Sequence, residues 1–243
     1  MRILGIIPAR FASTRFPGKP LIQIDGKSMV QRVYEQASLS TFLAEVVVAT
    51  DDQRIADEVS RFGGKYVMTA TTHISGTDRC AEVVSQLDGF DSVINIQGDE
   101  PFIDPLQIDL LASCFEDASV ELATLIKSID NEADLFNENI PKVVVNERDE
   151  AIYFSRQTIP FLRGIAKNEW LEKGKFFKHI GIYGYTIKAL AHITTLKASK
   201  LELAESLEQL RWIEAGYRIK TKITTIETIA IDTPEDLIKL SRS

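Results

Sequence analysis

The chain of 243 residues, 44% hydrophobic and 26% charged, is long enough to bury the core of one large domain and has the composition of a soluble globular protein. Its 35 acidic against 28 basic residues give a formal charge of -7, which argues against broad binding to nucleic-acid backbones. Two distant cysteines, Cys80 and Cys114, indicate neither a disulfide framework nor a zinc motif; no stretch approaches the roughly 18 apolar residues of a membrane span, and without a leader-like apolar region a cytoplasmic protein is expected.

In chain order, LGIIP (4–8) reads as a short buried strand, SMVQRVYEQA (28–37) as an amphipathic helix and EVVVATDD (45–52) as a second buried strand running into acids. DQRIADEVSRFGG (52–64) carries an apolar stripe at Ile55, Val59 and Phe62 and ends in two glycines suited to a helix C-cap. YVMT (66–69) predicts a strand, TDRCAEVVSQL (77–87) a helix with Thr77 as N-cap, SVINIQGDE (92–100) a strand ending in acids, and PLQIDLLASCFED (105–117) a helix with Pro105 near its start. Apolar runs alternating with helices predict a mostly parallel sheet covered on both faces. Ligands bind such sheets beyond the strands' carboxyl ends, so the loops after Pro8, Thr50 and Ile96 are the places to look.

LATLIKSI (122–129), KVVVN (142–146), AIYFSR (151–156) and HIGIYGYT (179–186) are four strand-like runs with little helix between them. They predict an antiparallel insertion or a mixed extension of the sheet, a β-rich lobe over about 120–190 within a single domain spanning 1–243. In HIGIYGYT, alternation places His179, Gly181, Tyr183 and Tyr185 on one face. A helix at ELAESLEQLRWIEAG (202–216), burying Leu203, Leu207, Leu210 and Ile213, and a last strand at IKTKITT (219–225) follow. Glu208 projects away from that helix stripe, toward solvent or a cleft.

Charge is unevenly placed. Residues 1–24 hold four basic side chains and no carboxylate, and within IIPARFASTRFPGKP (6–20) Arg10, Arg15 and Lys19 flank small residues able to bring backbone N–H groups close to an anion. The stretch has neither the P-loop nor the GxGxxG pattern, so charge alone leaves a phosphate site and a solvated basic loop as alternatives. Asp99 stands where a buried strand meets the sheet's carboxyl edge, as a turn residue or a hard oxygen ligand; Gly98 beside it allows close backbone approach, and Glu100 is expected to point the other way. Asp232 before Thr233-Pro234 has the grammar of a helix N-cap, and His73 that of a satisfied surface histidine. Cys80 falls in a helical apolar pattern and no Ser-His-acid arrangement is present, so covalent catalysis is not expected.

Eight segments in order, PARFASTRFPGKPL (8–21), VATDD (48–52), HISGTDR (73–79), NIQGDEP (95–101), YFSR (153–156), HIGIYGY (179–185), ESLEQLR (205–211) and IDTPEDL (231–237), resemble the sugar-nucleotide cytidylyltransferase family, and within it the branch that activates the eight-carbon acid sugar 3-deoxy-D-manno-octulosonate, Kdo. The resemblance implies an α/β, three-layer Rossmann-like nucleotidyltransferase fold of the GT-A-like type, with a mostly parallel sheet and the β-rich lobe serving sugar binding and dimerisation. It implies transfer of CMP from CTP to the anomeric hydroxyl of Kdo with release of pyrophosphate, for lipopolysaccharide biosynthesis, assisted by Mg2+ in a cytoplasmic homodimer. By the same resemblance Arg10, Ser13, Arg15 and Lys19 take the triphosphate, and Ser75 and Thr77 the rest of the nucleotide. Gln97, Arg156, His179, Tyr183, Tyr185, Glu208 and Gln209 take the sugar, although for Tyr183 core packing competes. Asp99 and Asp232 hold the metal, and Arg10, Lys19 and Asp99 are catalytic. The chain departs from the family's usual pattern at Ala70-Thr71-Thr72 and at Lys200. A cytidylyltransferase for another keto-acid sugar, and a catalytically silent nucleotide-binding protein, are the competing readings.

Overall fold

A computed structural model describes residues 1–12, 16–231, 233 and 235–237. In chain order these form β1 (Ile3–Ala9), the small hairpin β2 (Gln23–Ile24) and β3 (Lys27–Ser28), α1 (Met29–Ala37), β4 (Leu43–Thr50), α2 (Gln53–Arg61), β5 (Tyr66–Met68), α3 (Gly76–Gln86), β6 (Ser92–Asn95) and α4 (Pro105–Ala112). There follow β7 (Leu122–Ser128), α5 (Glu132–Leu135), β8 (Lys142–Val145), β9 (Ala151–Ser155), α6 (Trp170–Lys173), β10 (Phe177–Thr186), α7 (Ile187–Ile193), α8 (Lys200–Glu205), α9 (Gln209–Glu214) and β11 (Ile219–Ile223).

The main sheet runs β11-β7-β10-β6-β1-β4-β5. β1 pairs in parallel with β4 and β6, β4 with β5, and β11 with β7; β10 alone among these runs antiparallel, to both β6 and β7. Strand alternation sorts the apolar side chains into two cores, one on each face. Ile3 and Ile7 of β1 join Val30 and Val33 of α1, Ile55 and Val59 of α2, and Ile108 and Leu111 of α4. Leu4 and Ile6 join Cys80 and Val83 of α3, Leu190 and Ile193 of α7, and Leu210 and Trp212 of α9. This is the three-layer arrangement expected of apolar strands alternating with amphipathic helices.

Of the strands expected in a lobe over about 120–190, β7 and β10 lie in the main sheet, while β8 pairs with β10 and β9 with β8 as an extension. A satellite core of Ile129, Leu135, Trp170 and Phe176 packs the segment around them. In β10 the register shifts between Ile180 and Tyr183. The shift absorbs Gly181 and Ile182; the Gly181 carbonyl accepts from Gln97 Nε2 at 2.7 Å, and Tyr183 and Tyr185 stay in the same apolar core.

Two expectations are corrected. The N-cap of α3 is Ser75, not Thr77: Ser75 Oγ accepts from Asp78 N at 3.1 Å and the Asp78 carboxylate accepts from Ser75 N at 3.3 Å, a reciprocal capping box that places Thr77 inside the first turn. The single helix expected over 202–216 is two, because Ser206 takes a left-handed conformation with φ 53°. Arg156 makes that break, its guanidinium donating to the Glu205 carbonyl at 2.7 Å and the Ser206 carbonyl at 3.3 Å, where a continuing helix would have used them. Leu203 is exposed in consequence, and Trp212 takes the buried place beside Leu207 and Leu210.

Candidate active site

A cavity of about 480 Å³ opens at the carboxyl ends of β1 and β6, closed on a third side by the N-terminus of α3. Its volume lies in the range of small-molecule sites. Arg10 and Lys19 line it from the loop after β1, Gln97 and Asp99 from the turn after β6, Ser75 and Thr77 from α3, and Tyr183 and Glu208 from β10 and the α8–α9 turn. The loops after Pro8 and Ile96 thus contribute as expected, whereas the loop after Thr50 serves from behind: Asp51 accepts from Arg79 NH2 at 3.0 Å. Ser13, Arg15 and Asp232 lie outside the described residues.

The chemistry centres on Asp99. Its Oδ2 accepts from Lys19 Nζ at 2.9 Å, so the loop after β1 and the turn after β6 are joined by an ion pair in the cavity wall. A Cβ on Gly98 would stand 2.7 Å from the Pro8 carbonyl oxygen, a backbone contact that cannot yield. The glycine therefore serves the approach of two backbones rather than of a ligand, and this approach is what sets Asp99 opposite the basic loop. Glu100, as expected, turns away: it is buried, and its Oε2 accepts from Thr228 Oγ1 at 2.6 Å. Burial pushes its carboxyl above the usual value against the opposing Thr228 bond, with the Asp99 charge adding to the rise.

At the other end of the cavity, Glu208 Oε2 accepts from the buried Thr77 Oγ1 at 2.8 Å, and Arg211 NH2 lies 3.9 Å from its other oxygen. Burial raises the Glu208 carboxyl above the usual range, and the Thr77 bond and the Arg211 charge only partly offset it. Arg211 is itself clamped by Glu202, Nε to Oε2 at 2.8 Å and NH2 to Oε1 at 2.5 Å. Thr77 therefore points its hydroxyl at a carboxylate, a role its position in HISGTDR did not disclose.

Four residues expected at the sugar lie outside the cavity lining. His179 is half-buried, its Nε2 3.0 Å from Thr124 Oγ1, and desolvation of its ring lowers its pKa to about 3. Tyr185 is fully buried against Trp212, with its hydroxyl unpartnered, as is the hydroxyl of Tyr183 above it. Gln209 is buried with its Nε2 unpartnered. Arg156 is engaged by Glu205, Ser206 and the Glu138 carbonyl, and Glu205 in turn accepts from Ser155 and from the Arg156 backbone. His73 binds Glu82, which places it as a local tie rather than a ligand.

Asn95 and Arg79 line the cavity without having been singled out in the sequence. Asn95 left a signal, a single amide inside the apolar run SVINI. Arg79 left none: its burial follows from its contacts with Asp51 and Thr69, which only the fold brings together. Among the described residues no three His, Cys, Asp or Glu side chains cluster as a complete metal site; the carboxylates that line the cavity are those of Asp99 and Glu208.

Comparison with known proteins matches residues 4–223 to the family model described as cytidylyltransferase. A relative in Cytophaga hutchinsonii, named 3-deoxy-manno-octulosonate cytidylyltransferase, is 61% identical over 99% of this chain and 97% of its own length. A second of the same name, from Parabacteroides distasonis, is 56% identical over 98% of this chain and 96% of its own. A solved structure of CMP:2-keto-3-deoxy-manno-octonic acid synthetase complexed with CTP superposes with a TM-score of 0.92 at 43% identity, covering 100% of this chain and 98% of the other. A cytidylyltransferase from Leptospira borgpetersenii, at 18% identity and a TM-score of 0.65 over 99% of this chain and 85% of the other, shares the fold.

Proposed function

Since the chain belongs to the cytidylyltransferase family, we propose that it is a 3-deoxy-manno-octulosonate cytidylyltransferase, transferring CMP from CTP to the anomeric hydroxyl of Kdo with release of pyrophosphate. The reaction supplies an activated acid sugar for lipopolysaccharide assembly. The observation that carries the reading is that one cavity gathers Arg10, Lys19 and Asp99 at one end and Glu208 at the other.

In this reading Arg10 and Lys19 neutralise the triphosphate, as an in-line displacement at the α-phosphorus requires. Lys19, held at 2.9 Å from Asp99, is oriented before nucleotide arrives. Ser75 and the first turn of α3 offer N–H groups and a hydroxyl to the nucleotide, with Ser13 and Arg15 completing the phosphate loop. Asp99 suits a hard cation: its carboxylate faces the cavity while the neighbouring Glu100 is turned inward. Asp99 with Asp232 would hold Mg2+, which when bound neutralises phosphate charge and favours ionisation of the attacking hydroxyl. At the sugar end, Glu208 is fixed by Thr77 and accepts from sugar hydroxyls; Gln97, bound to the Gly181 carbonyl, shapes the wall beside it. His179, Tyr185 and Gln209 support the sugar end from beneath, and Arg156 holds the Glu205–Ser206 turn from which Glu208 follows.

No helix among the described residues is long and apolar enough to cross a membrane, and we place the enzyme in the cytoplasm, where its soluble substrates are. The β8–β9 extension and its aromatic cluster around Trp170 are proposed as the sugar-side lobe and the face of a homodimer. The deciding experiment is pyrophosphate release with CTP, UTP, ATP or GTP against Kdo, an 8-amino analogue and N-acetylneuraminate. Release confined to CTP with Kdo is expected. Release with CTP and only another sugar would move the substrate within the family, and CTP binding without release for any pair would overturn the assignment.

A further inference from the structure

The two cations that line the Asp99 end of the cavity flank the closure of one loop. Arg10 immediately precedes Phe11 and Lys19 immediately follows Gly18, and Gly18 N donates to the Phe11 carbonyl at 2.9 Å. The Phe11 ring also lies against Gly18: a Cβ there would stand 3.3 Å from two of the ring carbons, and the residue takes φ 73°, so close approach and backbone conformation both call for glycine. Through its carbonyl and its ring, Phe11 therefore fixes where the loop returns to its start, and with it the spacing of Arg10 and Lys19.

The ring is held in turn from α2. The guanidinium carbon of Arg54 lies 3.3 Å from the Phe11 ring centroid, well inside the roughly 6 Å reach of a cation–π contact. Arg54 is gripped by Asp52, Nε to Oδ1 at 2.9 Å and NH2 to Oδ2 at 2.7 Å, a fork that sets the plane of the guanidinium as well as its place. Asp52 is anchored as well: its Oδ1 caps α2 by accepting from Arg54 N at 3.0 Å, and its own N donates to Oγ1 of the buried Thr50 at 3.2 Å, at the end of β4. A chain of contacts thus runs from β4 through Asp52, Arg54 and Phe11 to the loop that carries Arg10 and Lys19. The Arg54 side chain is 59% exposed, and exposed ion pairs add little to folding, so what this pair chiefly does is seat the ring.

We propose that Arg54, seated by Asp52, is a positioning residue for nucleotide binding: it stacks on Phe11 and so sets the loop closure that spaces Arg10 and Lys19 for a triphosphate. This rests on the reading of those two side chains as the triphosphate's cations. Neither Arg54 nor Asp52 lines the cavity, so both act through Phe11 rather than on substrate. Cations already in place lose less freedom when the anion arrives, and the nucleotide binds more tightly for it.

The test uses the full chain and measures CTP and CMP affinity by isothermal titration calorimetry, with melting temperature alongside, for wild type, R54A, R54K, D52N, F11L, F11Y and K19A. R54A is expected to weaken CTP by about 5–10-fold, the penalty for ordering side chains no longer placed in advance, and CMP much less, with a melting temperature close to wild type. D52N separates positioning from charge. Asparagine still caps α2 but keeps only one acceptor oxygen for the fork, and it removes a negative charge, so a field effect alone would tighten CTP whereas loss of the clamp weakens it. F11L is expected to match R54A with no change of charge, F11Y to keep wild-type affinity because the aromatic face is retained, and R54K, charged but without the fork, to fall between. R54A carries the test if F11L does not fold. Tighter CTP binding in D52N, wild-type CTP affinity in R54A, or equal losses for CTP and CMP overturn the positioning role while K19A still weakens CTP selectively. Should K19A leave CTP affinity unchanged, the reading of the loop as the triphosphate site itself fails and the proposal falls with it.

Discussion

The parallel half of the sheet, β5-β4-β1-β6, and the mixed half, β10-β7-β11 with β8 and β9, are held together by different means. In the parallel half, strands of Val, Ile and Leu are packed between α1, α2 and α3, and the functional groups sit in loops at the strand ends. In the mixed half, charged and polar side chains are drawn into the structure. Lys142, fully buried, donates to the Asn137 and Ile140 carbonyls at 2.7 Å each; Lys178 bridges Asp134 and Glu227; Arg156 ties the α8–α9 turn. Apolar packing tolerates loops that carry chemistry, whereas polar ties lock a geometry and fail as a unit when one member is removed. The Asp99 end of the cavity is thus a loop set on a firm base, and the Glu208 end is itself part of the framework.

The largest effect should fall on chemistry without stability. D99N is expected to lower the rate of pyrophosphate release by about 1,000-fold with little change in melting temperature, since Asp99 lies in the cavity wall and packs no core. A melting temperature that collapses along with activity would erase the distinction between the two halves. The reverse pattern is expected of K142M: two buried carbonyls lose their donor, at a cost of about 1–3 kcal/mol each at most, so the melting temperature falls by several degrees while metal-free CTP binding persists.

Next comes a difference in pH response. The Glu208 carboxyl is raised by burial, so its folded form holds the proton more tightly than the unfolded chain does; stability is greatest below the ordinary glutamate value of 4.5 and declines as pH rises through the raised value. Glu227 is lowered by its bonds to Lys127 and Lys178, so its contribution is present above 4.5 and is lost as pH falls through the lowered value. Melting curves of E208Q against wild type should therefore diverge in the variant's favour, by a few degrees, as pH rises from 4.5 toward neutrality. E227Q should lose ground on wild type as pH rises through the lowered Glu227 value to 4.5 and keep a constant deficit above it, and curves parallel to wild type for both variants, each over its own range, would refute the assignment. The smallest effect is expected from E35A, which removes an exposed pair with Lys27 on the parallel half, at no more than about 0.5 kcal/mol in chemical denaturation.

This division also decided what the sequence could disclose. Strands β1, β4 and β6 and helices α1, α2 and α4 were legible because a buried strand or an amphipathic helix carries its evidence in consecutive residues. Gly63 is where two glycines predicted a helix end, with φ 79°. The α3 cap was misplaced by two residues because Ser75 and Thr77 are both good caps, and the choice rests on Asp78 standing three residues after Ser75. The break at Ser206 was illegible since its cause, Arg156, is 50 residues distant. The basic loop and Asp99 were found by charge and strand-end position, both local signals. Thr77 facing Glu208, Glu100 facing Thr228 and Arg79 facing Asp51 depend on topology, and no local pattern announces them.

The bond between Thr77 and Glu208 spans 131 residues and that between Glu100 and Thr228 spans 128. During synthesis the ribosome releases the basic loop, β6 and Asp99 well before Glu208 and Thr228 are made. On the growing chain the basic loop and Asp99 are therefore present while the opposite wall of the cavity is still unmade. Catalytic competence must then be one of the last properties the growing polypeptide acquires, and a transcript cut short before codon 208 would yield a protein without the Glu208 wall of its cavity.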